Sequence, residues 1–407
     1  MKNGRFISRG LVWVLAAALA AAGLPAGAEA RNIKVGILDT YSGPPAVFGN
    51  DALNGFKMAV EEINRQGVLG GKIEFVTRDD KFKVDIGLNL AKELALKENV
   101  DLIVGVVNSG VALAVSDAVA KKEKIPFFTW MGKSANITGK AGHRYVFSTT
   151  ENTAMATKAA ATVLARKPYK RIWVAGDDYE YGHALDDSFT RYMKQFKPEV
   201  EFIGRTWWKL GEPDLVPYFT SIQAAKPDLV HFCTGGASMA NVLKTIQATG
   251  LQRTTAIYIH TAIDHAVLKP LGLNAPEGVL GTMDYLFYYP EMSSHQKFVK
   301  EFQTRYKTPP GFPAFHAYVT AQFIAEGFRK AGKIDREAFI NALEGLKVDT
   351  PVGRVEMRAC DHQAVLPIYF GTTRLSKEHQ AAVATDILTL RGAEVMPTCE
   401  EVLGARK

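Results

Sequence analysis

Two α/β lobes, each built on a doubly wound parallel sheet, are predicted by three features of this 407-residue sequence. Short apolar runs rich in β-branched residues alternate with amphipathic segments of about 10–15 residues, the pattern of strands joined by crossover helices. The alternation runs once from Ile33 to Ser148 and starts again at Ala156. No low-complexity or flexible tract separates the two runs, so the lobes should share several crossings and a hinge.

The first unit organises the rest. Ile33, Val35, Ile37 and Leu38 make a buried strand. Ser42, Gly43, Pro44 and Pro45 break it. From Asp51 on, Leu53, Phe56, Ala59, Val60 and Ile63 recur at helical spacing. In a parallel sheet such a loop lies at the carboxyl edge of the strands, where ligands bind. Tyr41, Ser42 and Gly43 are therefore candidates for a crevice wall, although an ordinary turn uses the same residues. Strands follow at 72–77, 100–107, 125–129 and 145–148, with helices at 87–97 and 111–121. The second run has helices at 156–166, 184–195 and 237–250 and strands at 171–175, 200–206, 229–233 and 256–260. A polar loop with Pro213 and Pro217 interrupts it. Residues 278–285 read as a crossover strand, 294–306, 316–332 and 335–346 as helices, and 353–357 and 366–372 as late strands.

The amino terminus is set apart. Lys2, Arg5 and Arg9 precede a mostly apolar run from Leu11 to Leu24, too short for a comfortable membrane span. Ala28-Glu29-Ala30 is a small-x-small cleavage site, so residues 1–30 read as a signal peptide cleaved after Ala30 and the protein as exported. The formal net charge is +7, and basic residues are scattered. From residue 31 on, 46 basic side chains face 41 acidic ones, a net of +5. No basic stripe is interleaved with aromatics, which argues against nucleic acid as a partner. Of three cysteines, Cys233 lies in an apolar run and reads as a buried free thiol. Cys360 and Cys399 lie in irregular stretches and are expected to pair in an oxidising compartment.

Catalytic and cofactor signatures are missing from the sequence. Gly67-Val-Leu-Gly-Gly-Lys72 has the wrong spacing for a phosphate loop and no hydroxyl residue after the lysine. There is no G-x-S-x-G elbow and no zinc spacing, and His316 reads as structural. Asp79-Asp80 and Asp177-Asp178 read as solvated strand-end acids. No cofactor or metal is expected. What recurs is a set of hydroxyl, amide and aromatic residues at strand ends in both runs: Ser42, Asn108 and Ser109, Thr129 with Trp130 and Met131, Ser148 and Thr149, Tyr179 and Tyr181, Thr234 and Gly235, and Thr261. Helix N-termini beside them favour an anion such as a carboxylate. Neighbouring aromatics suit an apolar body.

Val35-Gly-Ile-Leu-Asp-Thr-Tyr-Ser-Gly43, Asn54-Gly-Phe-Lys-Met-Ala-Val-Glu-Glu-Ile-Asn64, Gly105-Val-Val-Asn-Ser-Gly110, Tyr181-Gly182, Gly235-Gly236 and Asp361-His-Gln363 together resemble the periplasmic solute-binding proteins of ABC importers, of the leucine/isoleucine/valine-binding type. The resemblance covers residues 32–375. It implies the type I periplasmic binding fold, with two lobes joined by a three-strand hinge, and a monomer that delivers a small ligand to a membrane permease without catalysis. It places lobe 1 at 31–150 and 281–350, and lobe 2 at 151–280 and 351–407. It implies that Ser109 and the amides beside Asn108 hold a ligand carboxylate and that Tyr181 covers the ligand from lobe 2. Where amino-acid binders of the family carry a threonine for the ligand ammonium, this sequence has Lys133; near Thr261 it lacks their glutamate, with Asp264 a poor substitute. That departure favours an aromatic or related organic acid bracketed by Trp130, Tyr179 and Tyr181. A branched-chain amino acid is the alternative, and a short amide or urea-like ligand or an enzyme on the same fold are further ones.

Overall fold

The computed structural model describes Met1 and residues 31–406, apart from the Ala237 side chain. From Lys2 on, the expected signal peptide lies outside the described residues. No described helix is long and apolar enough to cross a membrane.

Strands β1 (Ile33–Asp39), β2 (Ile73–Asp79), β3 (Leu102–Gly105), β4 (Phe127–Thr129) and β5 (Val146–Ser148) form one all-parallel sheet, ordered β2-β1-β3-β4-β5. The second sheet repeats that winding. Strands β6 (Arg171–Asp177), β7 (Glu201–Trp208), β8 (Leu229–Cys233), β9 (Ala256–His260) and β10 (Leu280–Met283) are ordered β7-β6-β8-β9-β10, all parallel. Both sheets are doubly wound, with the crevice-forming strand reversal beside their first strands. After the small β11–β12 hairpin (Lys347–Thr350, Gly353–Glu356), strands β13 (Ile368–Ser376) and β14 (Ala381–Leu390) add an antiparallel edge beyond β10. The 278–285 segment is thus an ordinary member of the second sheet. The predicted loop with Pro217 is in part the helix Val216–Ala225, which tolerates proline because its first turn needs no N–H.

Helices from the end of the chain return to the first sheet. Phe312–Ala331 lies along Ala46–Gln66 so closely that a Cβ on Gly55 would sit 2.0 Å from the Ala314 carbonyl oxygen. Three chain crossings meet between the sheets and are tied by two polar side chains. Gln363 donates to the Thr150 carbonyl at 2.6 Å and accepts from Asn152 at 3.1 Å. Asp284 accepts the Glu151 N–H at 3.1 Å and His316 Nε2 at 2.7 Å. Cys360 and Cys399 are bonded, with Cα atoms 5.9 Å apart, which ties the terminal helix Cys399–Ala405 to the third crossing. Cys233 is a buried free thiol.

Candidate functional site

Each sheet ends its first strand on a buried aspartate that organises the loops around it. Asp39 accepts Trp130 Nε1 at 2.7 Å, Thr40 N–H at 2.9 Å and Val107 N–H at 3.0 Å. Asp177 accepts Trp208 Nε1 at 3.0 Å and the Thr234 hydroxyl at 2.5 Å. Burial pushes the Asp39 carboxyl up to about 8, and the neighbouring Asp80 adds to the shift. Asp177 is also raised by burial, against its hydroxyl and indole donors. Asp80 and Asp177 are fully buried, so the expectation of solvated acids fails for both; Asp178 is exposed. These carboxylates hold backbone and side-chain donors that the loops would otherwise leave unpaired.

Between the carboxyl edges of the two sheets lies a cleft. Seven of the predicted residues reach its wall: Ser109, Met131 and Lys133 from the first lobe, and Tyr179, Tyr181, Gly235 and Thr261 from the second. Phe48, Phe82 and Phe312, which the sequence reading passed over, add three more rings.

The remaining predicted residues stand behind the wall, and for them the expected contact role is corrected. Trp130 is completely buried, packs 5.7 Å from the Phe56 ring, and spends its indole N–H on Asp39, so it brackets nothing in the cleft. Thr234 is spent on Asp177. Thr129 accepts the Gly132 N–H at 2.9 Å and shapes that turn. Asn108 caps the helix Ser109–Val115 by accepting the Gly110 N–H at 2.8 Å. Tyr41 anchors its backbone on Asp79, with its hydroxyl buried and unpaired, and Ser42 is exposed and does not line the cleft.

A chain of buried polar groups runs through the back of the cleft. Lys133 Nζ pairs with Glu151, donates to the Thr150 hydroxyl at 2.9 Å and lies 4.4 Å over the Phe312 ring. The other Glu151 oxygen meets His260 Nε2 at 2.9 Å, and His260 Nδ1 meets the Tyr181 hydroxyl at 2.8 Å. Burial pushes the His260 imidazole down, so it is neutral. A neutral ring donates from one nitrogen only, and the carboxylate takes that proton from Nε2. Nδ1 then accepts from Tyr181, whose phenol burial holds protonated. Lys133 therefore neither points to solvent nor stands free as a counter-charge. Its partner Glu151 lies on the first crossing, 18 positions along the chain, with no local spacing to mark the pair.

Ser109 Oγ accepts the Ser134 N–H at 3.1 Å, which leaves its proton for a partner on the cleft side. Asp264 is buried and caps the short helix His265–Leu268 through the Ala266 N–H at 3.1 Å, outside the cleft wall.

A family model described as periplasmic binding protein matches residues 32–379. The chain belongs to that family. It is a type I periplasmic binding protein of the leucine/isoleucine/valine-binding group. The Leu/Ile/Val-binding protein BraC3 of Rhizobium johnstonii is 26% identical over 327 residues, 80% of this chain and 87% of that one. Among solved structures of the same fold, a solute-binding protein of an ABC transporter from Rhodopseudomonas palustris HaA2, in complex with p-hydroxybenzoic acid, has a TM-score of 0.80 at 22% identity, covering 89% of this chain and 97% of that one. Its counterpart from strain BisB5, in complex with 3,4-dihydroxybenzoic acid, has a TM-score of 0.80 at 21% identity, covering 89% and 98%. As a periplasmic binding protein, the molecule is a solute-binding protein of an ABC transporter, and its relatives are binding proteins rather than enzymes.

Proposed function

We propose that the cleft takes a small carboxylate with an aromatic body and that the protein delivers it from the periplasm to the permease of an ABC importer. One observation carries the ligand class. Lys133 is the only charged side chain among the described residues lining the cleft, and Glu151 already holds it. No carboxylate on the wall is available for the ammonium of an α-amino acid, and burying that ammonium unpaired would cost several kcal/mol. The five rings of Phe48, Phe82, Phe312, Tyr179 and Tyr181 support a flat apolar body. The Ser109 hydroxyl, with the first-turn N–H groups of its helix other than that of Gly110, which Asn108 caps, supports a carboxylate at that end. We read residues 1–30 as the export signal. The crossings near 150, 281 and 350 are read as the hinge between lobes at 31–150 plus 281–350 and 151–280 plus 351–407, and the protein as a monomer.

A branched-chain amino acid is the second reading, favoured by the names of the curated relatives. It requires the ligand ammonium to compete with Lys133 for Glu151. A thermal-shift screen separates the two. Ligand at 100 times its dissociation constant adds about 2.7 kcal/mol. Benzoate or 4-hydroxybenzoate should raise the melting temperature, and leucine and valine should not. The reverse result overturns the aromatic reading.

A further inference from the structure

We infer that Glu180 is a positioning residue that latches the two lobes across the cleft, an inference that rests on reading the cleft as the ligand site. Glu180 is the first residue of the helix Glu180–Phe196, between Tyr179 and Tyr181, which both line the cleft. Its carboxylate sits at the positive end of that helix, which favours a negative charge there. It accepts the Ser134 hydroxyl at 2.6 Å and the Asn136 side-chain amide at 2.9 Å. Both donors follow β4 of the first sheet, whereas Glu180 follows β6 of the second. The same residue, Ser134, gives its backbone N–H to Ser109 Oγ, and Lys133 precedes it. The helix Ser109–Val115 also packs against Glu180–Phe196.

One turn of helix therefore does two things at once. Tyr181 closes on the ligand space, and Glu180 grips the segment that sets the Ser109 hydroxyl and carries Lys133. Seating of the second lobe and orientation of the first lobe's polar wall are thereby coupled. Charge-assisted hydrogen bonds to a carboxylate are about twice as strong as neutral ones, so the grip acts chiefly on opening. Affinity differences within one binding site lie mostly in the dissociation rate.

The test has two arms on the full-length protein. Without ligand, hydrogen–deuterium exchange over residues 133–137 should rise in Glu180→Ala and in Ser134→Ala. It should rise less in Glu180→Gln, which keeps an acceptor oxygen, and the rise in the double variant Ser134→Ala/Glu180→Ala should fall short of the sum of the singles, because both break the one Ser134–Glu180 bond. With 4-hydroxybenzoate as probe, Glu180→Ala should speed dissociation about tenfold with association within about twofold. Because Ser134 Oγ also accepts the Asn136 N–H at 3.2 Å, the deciding variant is Glu180→Ala: exchange unchanged there, or effects that simply add in the double, overturns the latch whatever the cleft binds. Failure of the wild-type protein to bind 4-hydroxybenzoate overturns the ligand reading alone, and the exchange arm still decides the latch.

Discussion

Replacing Lys133 with methionine tests whether the buried pair behind the cleft is what holds its wall. The change keeps the length of the side chain and removes the charge. Glu151 is then left with the Thr150 hydroxyl and His260 Nε2, both of which reach it in the native state. Breaking a buried ion pair by removing one partner costs about 3–5 kcal/mol. Protonating a glutamate at pH 7 costs about 3.7 kcal/mol. The chain escapes the unpaired charge that way, so the loss is capped near 4 kcal/mol. A chain of this size unfolds with an entropy of about 0.8 kcal/mol/K. The melting temperature should therefore fall by about 4–5 °C at pH 7. At pH 5 the escape costs only about 1 kcal/mol, so the deficit should shrink to about that value. Glu151→Gln should rescue Lys133→Met in the double variant, because an amide needs no counter-charge. Differential scanning calorimetry of the four proteins at both pH values reads all of this. Additive losses, or a deficit equal at pH 5 and pH 7, would refute the argument that the pair is mutually dependent.

Three further outcomes follow from the geometry. Gly235→Ala should weaken ligand binding about tenfold in calorimetric titration, because its Cβ would sit 2.8 Å from the Tyr181 ring and push it into the cleft. Cys360→Ser/Cys399→Ser, or full reduction, should lower stability by about 3–4 kcal/mol in denaturant melts, the chain-entropy value for a loop of about 40 residues. Burial pushes both Asp51 and Asp264 up to about 7, so the native state keeps protons that the unfolded chain releases near pH 4. Their contribution is complete below about pH 4 and is lost as pH rises through about 7, with a slope approaching 1.4 kcal/mol per pH unit for each group. Asp51→Asn should flatten that part of the pH–stability curve.

The fold was legible because its signals are periodic and local. The β-branched runs at Ile33–Asp39, Leu229–Cys233 and Ala256–His260 could only be buried strands, and their recurrence revealed the second winding. The strand Ala381–Leu390 was not legible. Its buried residues are Ala381, Ala382 and Ala384, too small to mark an apolar alternation. Of the expected site residues, those that line the cleft lie where strand order alone puts them, at the ends of β3, β4, β6, β8 and β9. Which way each side chain turns is a different matter. Trp130 and Met131 are adjacent, yet only Met131 reaches the cleft, because the indole N–H finds Asp39 on the core side. Phe312 was missed because a helix from the end of the chain brings it to the first sheet, a contact about 180 positions from Lys133 that no spacing encodes.

The same distance dependence explains why the sequence alone does not assign Lys133 a role, and it bears on what the cleft selects. A lysine at a strand end reads as a free cation, and a free cation in a binding cleft reads as the anchor of a carboxylate. The crossing at 149–153 changes both inferences by placing Glu151 against the ammonium. Burying such a pair is not favourable for stability relative to apolar residues of similar volume. Its consequence here is electrostatic. The wall gains rigid donors and acceptors from the first crossing to Tyr181, but no net charge from this pair. A ligand charge entering the cleft must then be met by hydroxyl and backbone donors near Ser109 rather than by a full counter-ion. Such donors stabilise one negative charge and offer nothing to a positive one, so the pairing of Lys133 with Glu151 itself argues for an acid over a zwitterion.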